Sequence, residues 1–381
     1  MSDSENGLME EIKDESESYA DDALFNISSF GTDLTFREII TMYKDGDLEK
    51  PELQRKYVWS KNEASRFIDS ILLGLPVPSI FLAKTADEKR LIVDGYQRIM
   101  TVYDYTEGIF SGDNKIFKLS QSENINERWR GKAFKELLPE EQRKIKMSTI
   151  HAIVFEQKHP QNDTGMYQIF ERINTSGKVL KPQEIRNCVY HGKFNSLLFK
   201  LNKLPIWKTV LGVRTEDARM ADVELILRFF AISSIRSRDE IHQSQINLVK
   251  YLNLYMNSFN DLDEQTSNKF ELEFDQTLKY LYNKIGDKIF RGIKVKNDKI
   301  TVAKKINPVI FDAVCTATNY VLLNHEDIAE KAKENLKDNY IKLMTDLDFI
   351  NATTVRTTNI ENIKKRISVA TITLFGVEYE W

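Results

Sequence analysis

The sequence of 381 residues predicts an α+β fold, with an α/β region first and an all-α lobe after it. Three observations carry that prediction. Up to about residue 200, short apolar runs alternate with capped helical stretches. Beyond it, apolar residues recur almost wholly at helical spacing. No Gly-, Ser- or Pro-rich linker marks the change, so two lobes are expected rather than beads on a string. The organisation is thus a disordered acidic tail over 1–24, an α/β domain over 25–200 and a helical domain over 201–381.

The elements follow in order. Thr35 and Glu38 form a capping box, predicting a helix that runs to the Asp45-Gly46-Asp47 turn. Leu48 to Leu53 reads as short and extended. Ser60 and Glu63 make a second capping box for a helix striped with Ala64, Phe67, Ile68, Ile71 and Leu72, stopped by Gly74 and Pro76. Ser79–Ala83 and Arg90–Val93 predict a hairpin, and a helix bearing Ile99, Val102, Tyr103 and Tyr105 follows Gly95. Residues 107–148 show no clear period. Ile150–Phe155 returns to strand character. A helix marked by Met166, Ile169, Phe170 and Ile173 ends at Asn174-Thr175-Ser176-Gly177, and Pro182 suits the first turn of the next one. Helical spacing then recurs over 222–235, 240–258, 265–285, 307–323, 326–347 and 359–374.

A net charge of −3 and 41% hydrophobic content describe an ordinary globular chain and argue against bulk attraction to polyanions. The average hides an asymmetry. Ser2 to Asp22 holds nine acidic residues against the single base Lys13, which leaves the remainder net positive by five. The tail carries too little apolar surface to fold alone. It reads as a solubilising leader or as an electrostatic mask over the basic remainder. Two cysteines, Cys188 and Cys315, offer no disulfide framework and no CxxC, which fits a reducing cytoplasm. The first residues show no secretory pattern, and no apolar run approaches the length of a bilayer span.

Chemistry concentrates at Leu91-Ile92-Val93-Asp94-Gly95-Tyr96-Gln97-Arg98, where an apolar strand runs into a helix start. Helix N-termini favour anions, Gly95 allows close approach, and Arg98 can fork two phosphate oxygens. Gln97 can orient a water or a base edge, and Asp94 can hold a cation or act as a base. The competing reading is a capped helix with an Asp94–Arg98 ion pair at i,i+4. Gln54-Arg55-Lys56-Tyr57 with Trp59 suits phosphate contact plus base stacking, or a loop whose aromatics plug the core. Asn174-Thr175-Ser176-Gly177 can form an anion-binding nest or an ordinary helix C-cap, and Glu184, Arg186 and Asn187 fit a polar helix face as simply. The five histidines have no metal-ligand or His-Asn-His spacing, and there is no Walker-type loop. Asn324-His325-Glu326-Asp327 looks like a helix start. Lysines between Lys279 and Lys305, interleaved with Tyr280, Tyr282 and Phe290, fit either a nucleic-acid face or a solvated surface.

Taken in order, three boxes resemble the family catalogued as domain of unknown function 262. They are Gln54-Arg55-x-Tyr57-x-Trp59, Asp94-Gly95-x-Gln97-Arg98, and Phe170-x-Arg172-Ile173-Asn174-Thr175-x-Gly177 followed by Glu184-Ile185-Arg186-Asn187. That family is the ParB/sulfiredoxin-like domain of GmrSD-type modification-dependent restriction enzymes. Arg219-Met220-x-Asp222-x-Glu224-Leu225-x-Leu227-Arg228-Phe229-Phe230 also resembles the helical continuation of many members, so the likeness spans about residues 30–235. It implies a ParB-like fold and a pocket for nucleotide or DNA phosphate, in bacterial anti-phage or restriction components that hydrolyse nucleotides or regulate a nuclease. Two departures matter. Tyr96-Gln97 stands where many relatives carry Gln-Gln, and the His-Asn-His nuclease domain of restriction members is not found.

The leading reading of these residues takes Asp94, Gln97 and Arg98 as catalytic. The same reading gives Gln54, Arg55, Tyr57, Gly95, Arg172, Asn174, Thr175 and Gly177 to nucleotide phosphates. A nucleoside triphosphate is then substrate or effector, with a divalent cation such as Mg2+ on Asp94. DNA is expected at Lys294, Lys296, Lys304 and Lys305. A partner defence protein or an oligomer fits the same class, and a membrane does not. Two other readings stand beside this one: a non-catalytic DNA-binding or partner-docking module, and a metal-dependent DNA-nicking enzyme. The fold alone does not choose among them.

Overall fold

Thr35 ends the first strand and caps the first helix, and this reciprocity sets the pattern of the α/β region. Its hydroxyl accepts from the Glu38 N–H at 3.2 Å, while Glu38 Oε2 accepts from the Thr35 N–H at 2.7 Å. The computed structural model describes residues 7–12, 27–49, 57, 59–84, 88–157, 164–173, 180–190, 192–217, 219–296 and 299–381. The chain divides into two units, one of residues 21–180 with 184–189, the other of residues 1–20, 181–183 and 190–381. A mixed sheet in the first and helices in the second make the class α+β.

The α/β unit runs β1 (Ile27–Thr35), α1 (Phe36–Asp45), β2 (Leu48–Glu49), α2 (Lys61–Leu73), β3 (Ile80–Lys84), β4 (Arg90–Asp94), α3 (Tyr96–Glu107), β5 (Ile109–Phe110), β6 (Lys115–Ile116), α4 (Pro139–Met147), β7 (Thr149–Gln157) and α5 (Thr164–Ile173), and takes most of α6 (Pro182–Val189). Among the described residues the main sheet has the order β1-β7-β3-β4-β2. β3 and β4 form the expected antiparallel hairpin, with a register irregularity at Phe81/Leu82, while β3 lies parallel to β7. The Ser60–Glu63 capping box starts α2, and Gly74 ends it in the left-handed region at φ 78°. Ile80, Leu82, Ile92, Ala152 and Val154 bury one sheet face against Phe36, Ile68, Ile99 and Val102 of the helices.

In the α/β unit, β1 and α4 depart from the sequence reading. β1 pairs with β7 along its whole length, although no strand pattern was evident before Leu34. It is an edge strand with Ser29, Gly31 and Asp33 exposed, so the period-2 apolar signal is diluted. α4 likewise lies in the stretch that showed no period, and it begins with Pro139 in its first turn and Glu140 and Glu141 behind it.

The second unit contains α7 (Lys193–Asn202), α8 (Pro205–Leu211), α9 (Ala221–Ser233), α10 (Leu248–Ser258), α11 (Glu264–Ile285), β8 (Ile293–Lys296), β9 (Lys299–Val302), α12 (Pro308–Asn324), α13 (Glu326–Ala332), α14 (Leu336–Thr345), α15 (Leu347–Thr354) and α16 (Ile360–Phe375). α12 is buried continuously from Pro308 to Val321, packed by α9 and α16. Trp207 meets Phe274 and Phe311 with ring centroids 5.4 and 5.8 Å away. The lobe is not purely helical, since β8 and β9 form an antiparallel hairpin. Alternating Ile293/Val295 and Ile300/Val302 are the local cause. The helical stretch expected over 326–347 is split at residues 333–335, between α13 and α14.

Part of the stretch read as acidic tail also has structure. Met9 forms a parallel bridge with Ile306, and the Glu10 N–H donates to the Ile306 carbonyl at 2.8 Å. No helix among the described residues is long and apolar enough to cross a membrane.

Candidate functional site

The junction of β4 and α3 is organised by Gly95. Its φ of 99° lies in the left-handed region, and a Cβ there would stand 2.3 Å from Ile80 Cγ2. Glycine is needed twice over, once for the turn and once for the approach to β3. No side chain caps the helix start. Asp94 closes β4 with its carboxylate about half exposed and 2.9 Å from Arg98 Nη2. Arg98 Nη1 donates to the carbonyls of Ser79 and, at 3.3 Å, Pro78. The guanidinium therefore ties the end of β4 to the entry of β3.

Gln97 has a different partner. Its Oε1 accepts from the Trp59 N–H at 3.3 Å. One turn on, Thr101 Oγ1 donates to the Gln97 carbonyl at 2.7 Å and sits 2.6 Å from the Tyr57 hydroxyl. With the Thr101 proton spent on that carbonyl, Tyr57 is the donor of the pair. Tyr57 packs edge-on to Phe110, and Trp59 to Phe67, at 5.1 and 5.7 Å. The Gln97 carboxamide accepts from the chain just before α2, whereas the Arg98 guanidinium reaches Asp94 and the entry of β3. Consecutive helical positions diverge by about 100°, and here each group has its own protein contact. The ion pair at i,i+4 is the arrangement found.

A third polar position completes a stripe on α3. Gln97, Thr101 and Asp104 recur at i, i+4 and i+7, and Thr101 and Asp104 are buried. Asp104 accepts from the Ser111 N–H at 2.7 Å and from its hydroxyl at 2.8 Å. Burial holds its carboxyl above the usual range, and the Ser111 bonds partly offset that. Burial also raises the Tyr57 phenol and pushes Tyr96 up to about 12. Tyr43 and Tyr103 meet edge-on at 5.0 Å nearby. Asp104 was missed in the sequence, yet the i, i+4, i+7 spacing of Gln97, Thr101 and Asp104 along α3 was a readable signal.

The other predicted positions are distributed as follows. Gln54 and Arg55 lie outside the described residues, as do Asn174, Thr175 and Gly177. Arg172 is exposed on the last turn of α5. One turn earlier, the Gln168 amide is fully buried with neither polar atom hydrogen-bonded among the described residues. Glu184, Arg186 and Asn187 are buried, so the polar-face reading of α6 is replaced by a buried polar helix. Such side chains need partners inside the protein, which a solvated face would not. The side chains of Lys294 and Lys296 lie outside the described residues. Lys304 is exposed and Lys305 half-buried. Arg291, of the same basic run, instead donates to the carbonyls of Asp287, Ile289, Lys304 and Leu211.

Among the described residues no group of three or more His, Cys, Asp or Glu could hold a metal. Mg2+ commonly takes one or two carboxylates and completes its shell with water and substrate phosphates. Asp94 fits such a cation only in company with a nucleotide. A cavity of ≈ 480 Å³ beside Asp69, Glu123 and Arg130 lies elsewhere, and Asp69 is already held by the Trp129 indole N–H at 2.6 Å and the Asn126 N–H.

Residues 36–191, from α1 through α6, match the family model of the GmrSD restriction endonuclease, N-terminal domain. All three sequence boxes fall inside that span. No curated protein matches the chain.

Proposed function

We propose that the chain is a restriction-type defence protein whose α/β unit handles a nucleotide at the β4–α3 junction. The family match supports the defence class, and the junction carries the chemical reading. There a helix start without a side-chain cap sits beside a half-exposed carboxylate and a guanidinium. In this reading the first-turn amides of α3 meet phosphate oxygens. Gln97 orients the attacking water, and Asp94 acts as base or cation ligand. Mg2+, when bound with the nucleotide, supplies positive charge against the phosphates. Arg98 keeps one arm on the Pro78 and Ser79 carbonyls and trades Asp94 for phosphate. Gln54, Arg55, Tyr57, Arg172, Asn174, Thr175 and Gly177 complete the phosphate contacts by family resemblance.

The decisive experiment is phosphate release from nucleoside triphosphates, with and without Mg2+, by wild type and Asp94→Asn. Loss of a positioned base or cation ligand lowers turnover by about a hundredfold in a variant with unchanged circular dichroism. Unchanged turnover removes Asp94 from the chemistry. A second reading has its own support, because Arg98 and Gln97 are already engaged by protein groups. In that reading the unit is a non-catalytic DNA-binding or docking module, marked by steeply salt-dependent DNA binding without turnover. A nicking enzyme would instead relax supercoiled plasmid in an Asp94-dependent way.

A further inference from the structure

The helical unit carries an anion of its own making. Asn307 caps α12, its Oδ1 accepting from the N–H groups of Val309 at 2.9 Å and Ile310 at 3.1 Å. Its other side-chain atom, Nδ2, donates to Glu10 Oε2 at 2.6 Å. A carboxylate from the N-terminal segment is thereby held at the N-terminal end of a 17-residue helix, where negative charge is favoured. The backbone seats it, since Leu8 and Glu10 exchange hydrogen bonds with both sides of Ile306. Glu11 pairs with Lys181. That bond, with the charge of Lys181 and more weakly of Lys305, holds the Glu11 carboxyl below its usual range. Lys305 Nζ also flanks Gly7, standing 3.7 Å from where a Cβ would be. All of these residues belong to one unit.

We infer that the acidic segment of residues 7–12 is an internal cover on a face suited to nucleic-acid phosphates, so that the chain masks its own DNA contact. The groups beneath it that suit phosphate are the Lys181 and Lys305 ammoniums and the Asn307 amide. The cover is exchangeable. The Glu11–Lys181 pair has both side chains at least half exposed, and such pairs hold weakly and yield to salt. A phosphate backbone, with many charges in register, displaces two carboxylates by number. This inference does not depend on nucleotide turnover at Asp94.

The test is fluorescence anisotropy of a labelled DNA duplex titrated at several salt concentrations. Glu10→Gln with Glu11→Gln removes the charge and keeps the segment's length. Binding tightens about threefold or more at low salt, and the log–log salt slope steepens by about one for each lysine released. Adding Lys181→Ala and Lys305→Ala reverses the gain. Wild-type affinity and slope in the double variant overturn the inference. So does a gain that survives loss of both lysines, because the segment would then act elsewhere.

Discussion

Gly95 shows at the scale of one residue how a single turn can make two structural demands at once. Two demands meet there, a left-handed φ and a backbone lying against Ile80. Gly46 makes only the first, with φ 79° and open space where a Cβ would stand. Alanine at Gly46 therefore costs about 1 kcal/mol of backbone strain. At Gly95 it adds a clash with a buried isoleucine that cannot move without disturbing β3, for a total of about 3 kcal/mol. Urea unfolding of the two variants reads the difference directly. Equal losses would mean that the approach to β3 is relaxed at no cost. The Asp94–Arg98 pair was legible from i,i+4 spacing. The carbonyls of Pro78 and Ser79 that share Arg98 were not, because nothing local points to residues 20 positions away.

At the scale of elements, α3 is the organising helix of the candidate site. Its polar stripe draws in Tyr57 and Trp59 at one end and the Ser111 turn at the other. Burial raises the Asp104 carboxyl, so the folded state binds that proton more tightly than the unfolded chain does. Stability from this group therefore rises as pH falls through its folded value toward the ordinary carboxylate range. The cost of its charge is fully present above that folded value. Asp104→Asn cannot titrate, so wild type gains on the variant across that window in denaturant melts at stepped pH. A flat difference would mean that the carboxyl is not held high. Capped helices such as α1 and α2 were readable because their ends are written in side chains. β1 was not, because an edge strand with a polar outer side has little period to show. The burial of Glu184, Arg186 and Asn187 was hidden for another reason. Their partners are set by tertiary packing, which a helical pattern does not encode.

At the scale of the whole molecule, each unit holds its own apolar core, and the helical one is pinned by a charge pair. Arg228 on α9 and Asp312 on α12 meet through two bonds of 3.0 and 2.5 Å, with side chains 2% and 0% exposed. Arg228 belongs to the box read from sequence as a family continuation, yet its partner lies 84 positions away and was not foreseen. Asp222 of the same box is also internal, accepting from the Asp217 N–H at 2.9 Å. These residues are therefore assigned to the scaffold of the helical unit. Asp312→Ala strands a buried guanidinium and costs about 3–5 kcal/mol, whereas Arg228→Met with Asp312→Leu removes both charges and leaves stability unchanged or raised. Hydrogen exchange locates the effect. Amides of α9, α12 and α16 lose protection in the single variant, while those of β3, β4 and β7 keep it, because the pair lies in a separate core. Equal loss across both sets would show that the two units unfold as one.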